Sequence, residues 1–204
     1  IRTGYPDFGM PSYRDALSDS ETKAISHYIH YTLEIGIQEK KNWIGEKNFY
    51  STEKLKIKPD TIITGLNVPW GMAFLPDGDI LVAEREGKLL RFSKGVKTAE
   101  IDGLPEIHAA GQGGLMDIRL HPDYLKNGWI YFAYTSPSKN SSEGWNTAIM
   151  RARLKGHKLI DNELIFKAMP DSKTQHHFGC KIAFDGKGHI FFGVGERGKA
   201  DNSQ

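Results

Sequence analysis

Two short segments late in the chain carry the residue types that chemistry requires. Gln175-His176-His177-Phe178-Gly179-Cys180-Lys181-Ile182 supplies two imidazoles, and Gly193-Val194-Gly195-Glu196-Arg197-Gly198 supplies a carboxylate beside a guanidinium. The stretch between them, Ile182 to Phe192, reads as a hairpin turned at Asp185-Gly186-Lys187-Gly188. A hairpin returns to its starting point, so His177 at one end can face Glu196 and Arg197 at the other. A general base beside charged groups at a strand rim is what an oxidoreductase or hydrolase site needs. His176 is adjacent on an extended segment, which directs its side chain the opposite way and makes it a poor partner for a shared metal.

Each of these residues also has a plain structural reading. Glu196 and Arg197 suit a surface ion pair, which is worth little energetically. Gln112 lies in Gly111-Gln112-Gly113-Gly114, where the glycines serve turn chemistry through unusual backbone angles. Lys181 fits a solvated strand position, and Cys180 a small buried filler. Met10 reads as a loop methionine, and His121-Pro122-Asp123 as part of a turn. Asn140-Ser141-Ser142 matches a glycosylation acceptor, a triplet common by chance.

These residues must be positioned by a scaffold, and composition limits what it is. With 204 residues the chain can form one or two domains with a sizeable core. The net charge of +2 is spread among acidic and basic residues, which gives no electrostatic footprint for nucleic acid. The single cysteine, Cys180, excludes an intrachain disulfide and a cysteine-based metal site. No apolar run approaches the roughly 20 residues of a membrane span. No basic start with an apolar core marks a signal peptide, and the opening at Ile1 reads as the middle of something longer.

The organisation changes along the chain. In residues 1–33, Ser18-Asp19-Ser20-Glu21 forms a capping box, and Ala24, Ile25, Tyr28 and Ile29 mark one face of a helix from about Asp19 to Tyr31. Residues 34–56 are rich in Lys, Glu and Asn and read as a linker. From Ile57 onward the period becomes two. Three related strand pairs follow: Trp70–Phe74 with Ile80–Ala83, Leu115–Leu120 with Trp129–Phe132, and Lys181–Phe184 with Ile190–Phe192. Phe74, Leu120 and Phe184 are equivalent, 46 and 64 residues apart, and Lys88–Phe92 and Thr147–Leu154 add further strands to the first two units. A multistranded repeat of this length predicts an all-β fold of propeller blades. A ring needs about 4–8 blades, so about three blades are expected to be one part of a longer protein.

Four stretches, in order, resemble the quinoprotein glucose/sorbosone dehydrogenase family, and most of all its soluble aldose sugar dehydrogenases. They are residues 65–78 (GLNVPWGMAFLPDG), Gly111-Gln112-Gly113-Gly114-Leu115-Met116-Asp117, Leu120-His121-Pro122-Asp123-Tyr124, and His177-Phe178-Gly179 with Gly195-Glu196-Arg197-Gly198. The resemblance covers about residues 57–204 and implies the first half of a six-bladed β-propeller that oxidises the C1 hydroxyl of an aldose to the lactone, with hydride passing to pyrroloquinoline quinone (PQQ). It implies His177 as the base, Glu196 as the acid that orients it, Gln112 at sugar or cofactor, Lys181 and Arg197 toward the cofactor, and Asp201 on the substrate side. The family often has a small residue and Arg after His-aromatic-Gly. Here Cys180 and Lys181 stand there, and lysine keeps the charge without the bidentate fork. The family's Ca2+ loop and the cations that hold PQQ fall later in its sequence.

Residues 1–33 resemble the end of a class I cytochrome c domain through Gly9-Met10-Pro11-Ser12, Leu17-Ser18-Asp19-Ser20-Glu21 and the helix. That resemblance implies Met10 as an axial ligand of haem iron. Residues 1–204 hold no C-x-x-C-H, so the attachment site for haem c is expected upstream. Fusion to a cytochrome c supplies an electron acceptor for the reduced quinone and implies a periplasmic or secreted enzyme. Two other classes remain open on the sequence: a non-catalytic binding propeller, and a metal-dependent sugar-lactone hydrolase on a similar scaffold.

Overall fold

The computed structural model describes residues 18–20, 22–28, 49–139 and 143–203. Met10, Glu21 of the capping box and the Asn140-Ser141-Ser142 triplet lie outside the described residues. The chain divides into two compact units, 1–61 and 62–204.

In the first unit, positions 19–20 and 22–28 are helical, and the Thr22 amide donates to the Ser18 carbonyl at 2.9 Å. Within and just beyond the stretch expected to be a linker, strand β1 (Tyr50–Ser51) pairs antiparallel with β2 (Lys56–Ile57). Thr52 closes that turn, its Oγ1 accepting the Leu55 amide at 3.0 Å.

The second unit is almost entirely β. Strands β3 (Pro69–Phe74), β4 (Ile80–Glu84), β5 (Lys88–Ser93) and β6 (Val96–Glu100) form one antiparallel meander. A second consists of β7 (Leu115–Leu120), β8 (Trp129–Pro137), β9 (Trp145–Lys155) and β10 (Lys158–Lys167), and β11 (Gly179–Phe184) pairs with β12 (Ile190–Val194). The first strands of the three sheets, β3, β7 and β11, are spatial neighbours. Phe74, Leu120 and Phe184 are the last residues of those strands, as their equivalence in the sequence predicted. The repeat of meanders around neighbouring first strands matches a partial, propeller-like arrangement. No helix among the described residues is long and apolar enough to cross a membrane.

The alternation along β8 and β9 shows why the second meander reads so apolar. Ile130, Phe132 and Tyr134 with Ala148, Met150 and Ala152 join the core that contains Leu81 and Leu89 of the first meander. Tyr131, Ala133 and Ile149 point the other way and join Phe178, just before the third sheet, and Cys180 and Ile182 within it. Both faces of this sheet are covered, so both sets of alternate residues must be apolar.

Each first strand also carries a register shift: at Pro69/Gly71 in β3, between Leu115 and Ile118 in β7, and between Gly179 and Ile182 in β11. Where two of these irregularities face each other, buried Asp117 joins the strands. Its Oδ2 accepts the Ile182 amide at 2.9 Å, and its Oδ1 accepts from Lys181 Nζ at 3.0 Å. A bulge frees ladder groups, and here a carboxylate takes up the freed amide.

Candidate active site

The β11–β12 hairpin does bring its two open ends together. Gly179 pairs with Val194, and the Gly195 amide donates to the Phe178 carbonyl at 3.1 Å. The chain then leaves each strand close to the other. A Cβ on Gly195 would lie 1.9 Å from the His177 carbonyl oxygen, so only glycine permits this approach.

At this junction His177 Nδ1 hydrogen-bonds Glu196 Oε1. The same oxygen accepts the Gly198 amide at 3.1 Å, and Asn202 Nδ2 donates to the Glu196 backbone carbonyl at 3.0 Å. These contacts fix the carboxylate from two directions. The His177 hydrogen bond, ahead of the backbone donors, holds the Glu196 carboxyl below the usual glutamate range. With Nδ1 bound to an ionised carboxylate, the neutral imidazole keeps its proton there and presents an Nε2 lone pair. The His177 side chain is 39% exposed, so its ring is open to solvent.

A second loop reaches His177 from the start of β7. Gln112 Oε1 accepts the His177 backbone amide at 2.9 Å, and the Gln112 amide donates to the Gln175 carbonyl at 2.8 Å. His177 has φ +56°, a left-handed conformation uncommon for a non-glycine residue. The side chain of Gln112 holds it there from across the gap. Arg85 Nη1 in turn donates to the Gly111 carbonyl at 2.8 Å. The structure therefore unites His177, Glu196 and Gln112.

The same left-handed turn corrects the expectation for His176. Alternation of side chains holds along extended backbone, and φ +56° at the next residue ends it. The two rings lie edge to face with centroids 4.6 Å apart. Among the described residues no group of three or more His, Cys, Asp or Glu side chains is arranged to hold a metal ion.

Three other sequence candidates are placed differently. Lys181 pairs with Asp117 on β7. Arg197 is buried, with its guanidinium 3.6 Å from the centroid of Phe178 and Nη2 donating to the Thr174 carbonyl. It makes no ion pair with Glu196, and burial pushes it down to about 10 against the opposing pull of Asp171 and Glu196. Asp201 lies exposed in the 3-10 turn Ala200–Asn202, on a cavity of about 360 Å³ shared with Asn146, Asp171 and Arg197. Cys180 is a buried packing residue whose thiol is pushed up to about 11, first by burial and then by Asp117. His121 serves its turn, with Nδ1 accepting the Asp123 amide at 2.9 Å.

Residues 66–204 match the family model described as Glucose / Sorbosone dehydrogenase. The chain belongs to the glucose/sorbosone dehydrogenase family. It is 36% identical over 143 residues to aldose sugar dehydrogenase YliI of Escherichia coli (strain K12), an alignment that covers 68% of this chain and 38% of that protein. It is 32% identical over 149 residues to quinoprotein glucose dehydrogenase B of Acinetobacter calcoaceticus, covering 68% and 30%. Among solved structures, the PQQ-bound form of aldose sugar dehydrogenase from Streptomyces coelicolor superposes with a TM-score of 0.60 at 32% identity, covering 70% of this chain and 42% of that one. This glucose/sorbosone dehydrogenase chain thus spans well under half the length of the relatives it matches.

Two residues of the site were not singled out in the sequence. Thr135 and Thr147 are fully buried and bond to the two loops that meet at His177. The available signal was a hydroxyl residue where an otherwise apolar strand approaches a glycine-rich loop.

Proposed function

We propose that this chain is part of a PQQ-dependent aldose dehydrogenase in which His177 takes the proton from the C1 hydroxyl of the sugar. The observation that carries this reading is the contact between His177 Nδ1 and Glu196 at the open end of a hairpin, with the imidazole exposed. The carboxylate fixes one tautomer and stabilises the imidazolium that proton uptake creates. Gln112 holds the His177 backbone, so the ring meets the substrate in one orientation.

The donor set fits the proton-accepting half of the reaction: a neutral imidazole with one nitrogen committed and the other open. When bound, PQQ supplies a hydride acceptor for the C1 hydrogen. In this reading Gln112, whose Oε1 accepts the His177 amide, also contacts cofactor or sugar. Lys181 pairs with Asp117, while buried Arg197 lies over Phe178 and donates Nη2 to Thr174, its Nε and Nη1 having no partner among the described residues. The cations that balance the cofactor's carboxylates, and the Ca2+ ligands, are assigned to later parts of the polypeptide. In this reading the meanders belong to a six-bladed ring, Met10 ligates haem c of a preceding cytochrome c, that cytochrome receives the electrons, and the enzyme works in the periplasm or outside the cell.

The test is the His177→Ala variant of the full-length protein, loaded with PQQ and Ca2+. Aldose oxidation is expected to collapse while the quinone's absorbance still reports binding. Turnover equal to the parent's would overturn the assignment of His177. Failure of the parent to bind PQQ would favour a binding propeller, and quinone-independent lactone hydrolysis lost on chelation would favour a hydrolase.

A further inference from the structure

Thr135 in β8 and Thr147 in β9 are directly opposite each other in the antiparallel ladder, and both are completely buried. In a strand, residues two apart share a face. Thr135 therefore lies on the side of Tyr131 and Ala133, and Thr147 on the side of Ile149, which is the side covered by the third sheet. Each hydroxyl is spent on a different loop. Thr135 Oγ1 accepts the Gly114 amide at 2.9 Å, while Thr147 Oγ1 donates to the Phe178 carbonyl at 2.7 Å.

Those two loops carry the candidate active site. Gln112 is two residues before Gly114, and His177 immediately precedes Phe178. The loops also touch directly. A Cβ on Gly113 would come within 2.6 Å of Thr135 Oγ1 and 2.8 Å of the Phe178 ring. The 2.9 Å bond from the His177 amide to Gln112 Oε1 spans the same junction. Both threonines are pinned at the backbone as well. The Thr135 amide donates to the Gly114 carbonyl at 2.9 Å, the Thr147 amide to Asn146 Oδ1 at 2.8 Å, and the Ala168 amide to the Thr147 carbonyl at 2.9 Å.

A buried hydroxyl left without a partner is destabilising, so two at one cross-strand position are a committed use of polar groups in an apolar layer. We propose that Thr135 and Thr147 form a cross-strand positioning pair that hangs both site loops from one rigid post and so sets Gln112 against His177. This inference rests on the sugar dehydrogenase reading for its catalytic consequence and on the geometry alone for its structural one. The pair touches no reacting atom; it acts through His177. A shift of about 1 Å in a reacting group costs on the order of 100-fold in rate, so the stiffness of this post matters to turnover.

The experiment uses the full-length protein with Thr147→Val, Thr135→Val and Thr147→Ser. Valine keeps the branched shape and deletes the hydroxyl, whereas serine keeps the hydroxyl. As a control, Ile118→Val removes one methylene from the core shared by the two meanders, on the face turned away from Thr135 and Thr147. Two readouts are taken: steady-state aldose oxidation with PQQ, and hydrogen exchange at the His177 and Gly114 amides.

For each valine variant, kcat is expected to fall about 10- to 100-fold with a much smaller change in KM, and both amides should exchange faster. Thr147→Ser should restore both readouts, and Ile118→Val should lose thermal stability without losing kcat. Parental kcat and exchange in both valine variants would overturn the proposal. So would a kcat loss that Ile118→Val reproduces at equal thermal stability. If the parent protein oxidises no aldose with PQQ, the functional reading fails. The exchange rates still decide the positioning claim, because they need no turnover.

Discussion

The β11–β12 hairpin carries a histidine–carboxylate pair at each end. At the turn, His189 Nδ1 lies 2.7 Å from Asp185 Oδ2, and at the open end His177 Nδ1 meets Glu196 Oε1. Both carboxyls are held below their usual range, chiefly by the histidine hydrogen bond. As pairs of groups they are nearly the same. Their surroundings differ. The His189–Asp185 pair joins residues four apart in one turn, and the His189 side chain is 70% exposed. The His177–Glu196 pair closes a gap of 19 residues, with His177 in a left-handed conformation and its amide held by Gln112 from the loop before β7. An imidazole beside a carboxylate is a local accident that any turn can produce. The candidate site is distinguished by the independent elements that converge to hold its pair in one arrangement.

The largest effect expected from this contrast is on turnover. In the full-length protein, His177→Ala should lower kcat about 10²- to 10⁴-fold, the usual contribution of a general base. His189→Ala should leave kcat within about twofold, as a group outside the proton-transfer path would. Equal losses in the two variants would erase the distinction between the ends of the hairpin.

Backbone clearance should follow the same division at smaller scale. Gly195→Ala forces a methyl group into the His177 carbonyl and should cost about 1–3 kcal/mol or more in urea unfolding. Gly186→Ala in the turn meets open space. Its φ of +70° still carries the left-handed penalty of about 1–2 kcal/mol. Only the first change should also depress activity, because only the first displaces His177.

The subtlest test is titration. Both carboxyls have depressed folded-state values, so the stability they contribute is present at neutral pH and is lost as pH falls through those values. Carboxyl NMR titrations should show Glu196 rising toward its ordinary value in His177→Ala while Asp185 stays in place. His189→Ala should give the reverse. Movement of both carboxyls in either variant would mean that the two ends are electrically coupled.

Much of this arrangement was legible in the sequence because its signals are local. The period-two runs with glycine turns located β3, β4, β7, β8, β11 and β12, and the return of the hairpin brought His177 toward Glu196. The outer strands were harder to see. Val96–Glu100 and Lys158–Lys167 are mostly exposed, so they lack the apolar alternation that marked the inner strands. The β1–β2 pairing rests on two residues per strand, too few for any period. The ring of His176 was misplaced because the left-handed turn at His177 has no signature in a histidine. The holds on His177 from Gln112 and the threonines were hidden for another reason. Their partners are 65, 21 and 31 residues away, and only the assembled sheets bring them together.

The crowding at Gly195 has a practical consequence. A Cβ there collides with main-chain atoms of His177 and Phe178 that cannot retreat. A saturation library across the end of β12 would therefore return a single viable codon family at this position. Engineers retuning the loop that follows have to begin beyond it.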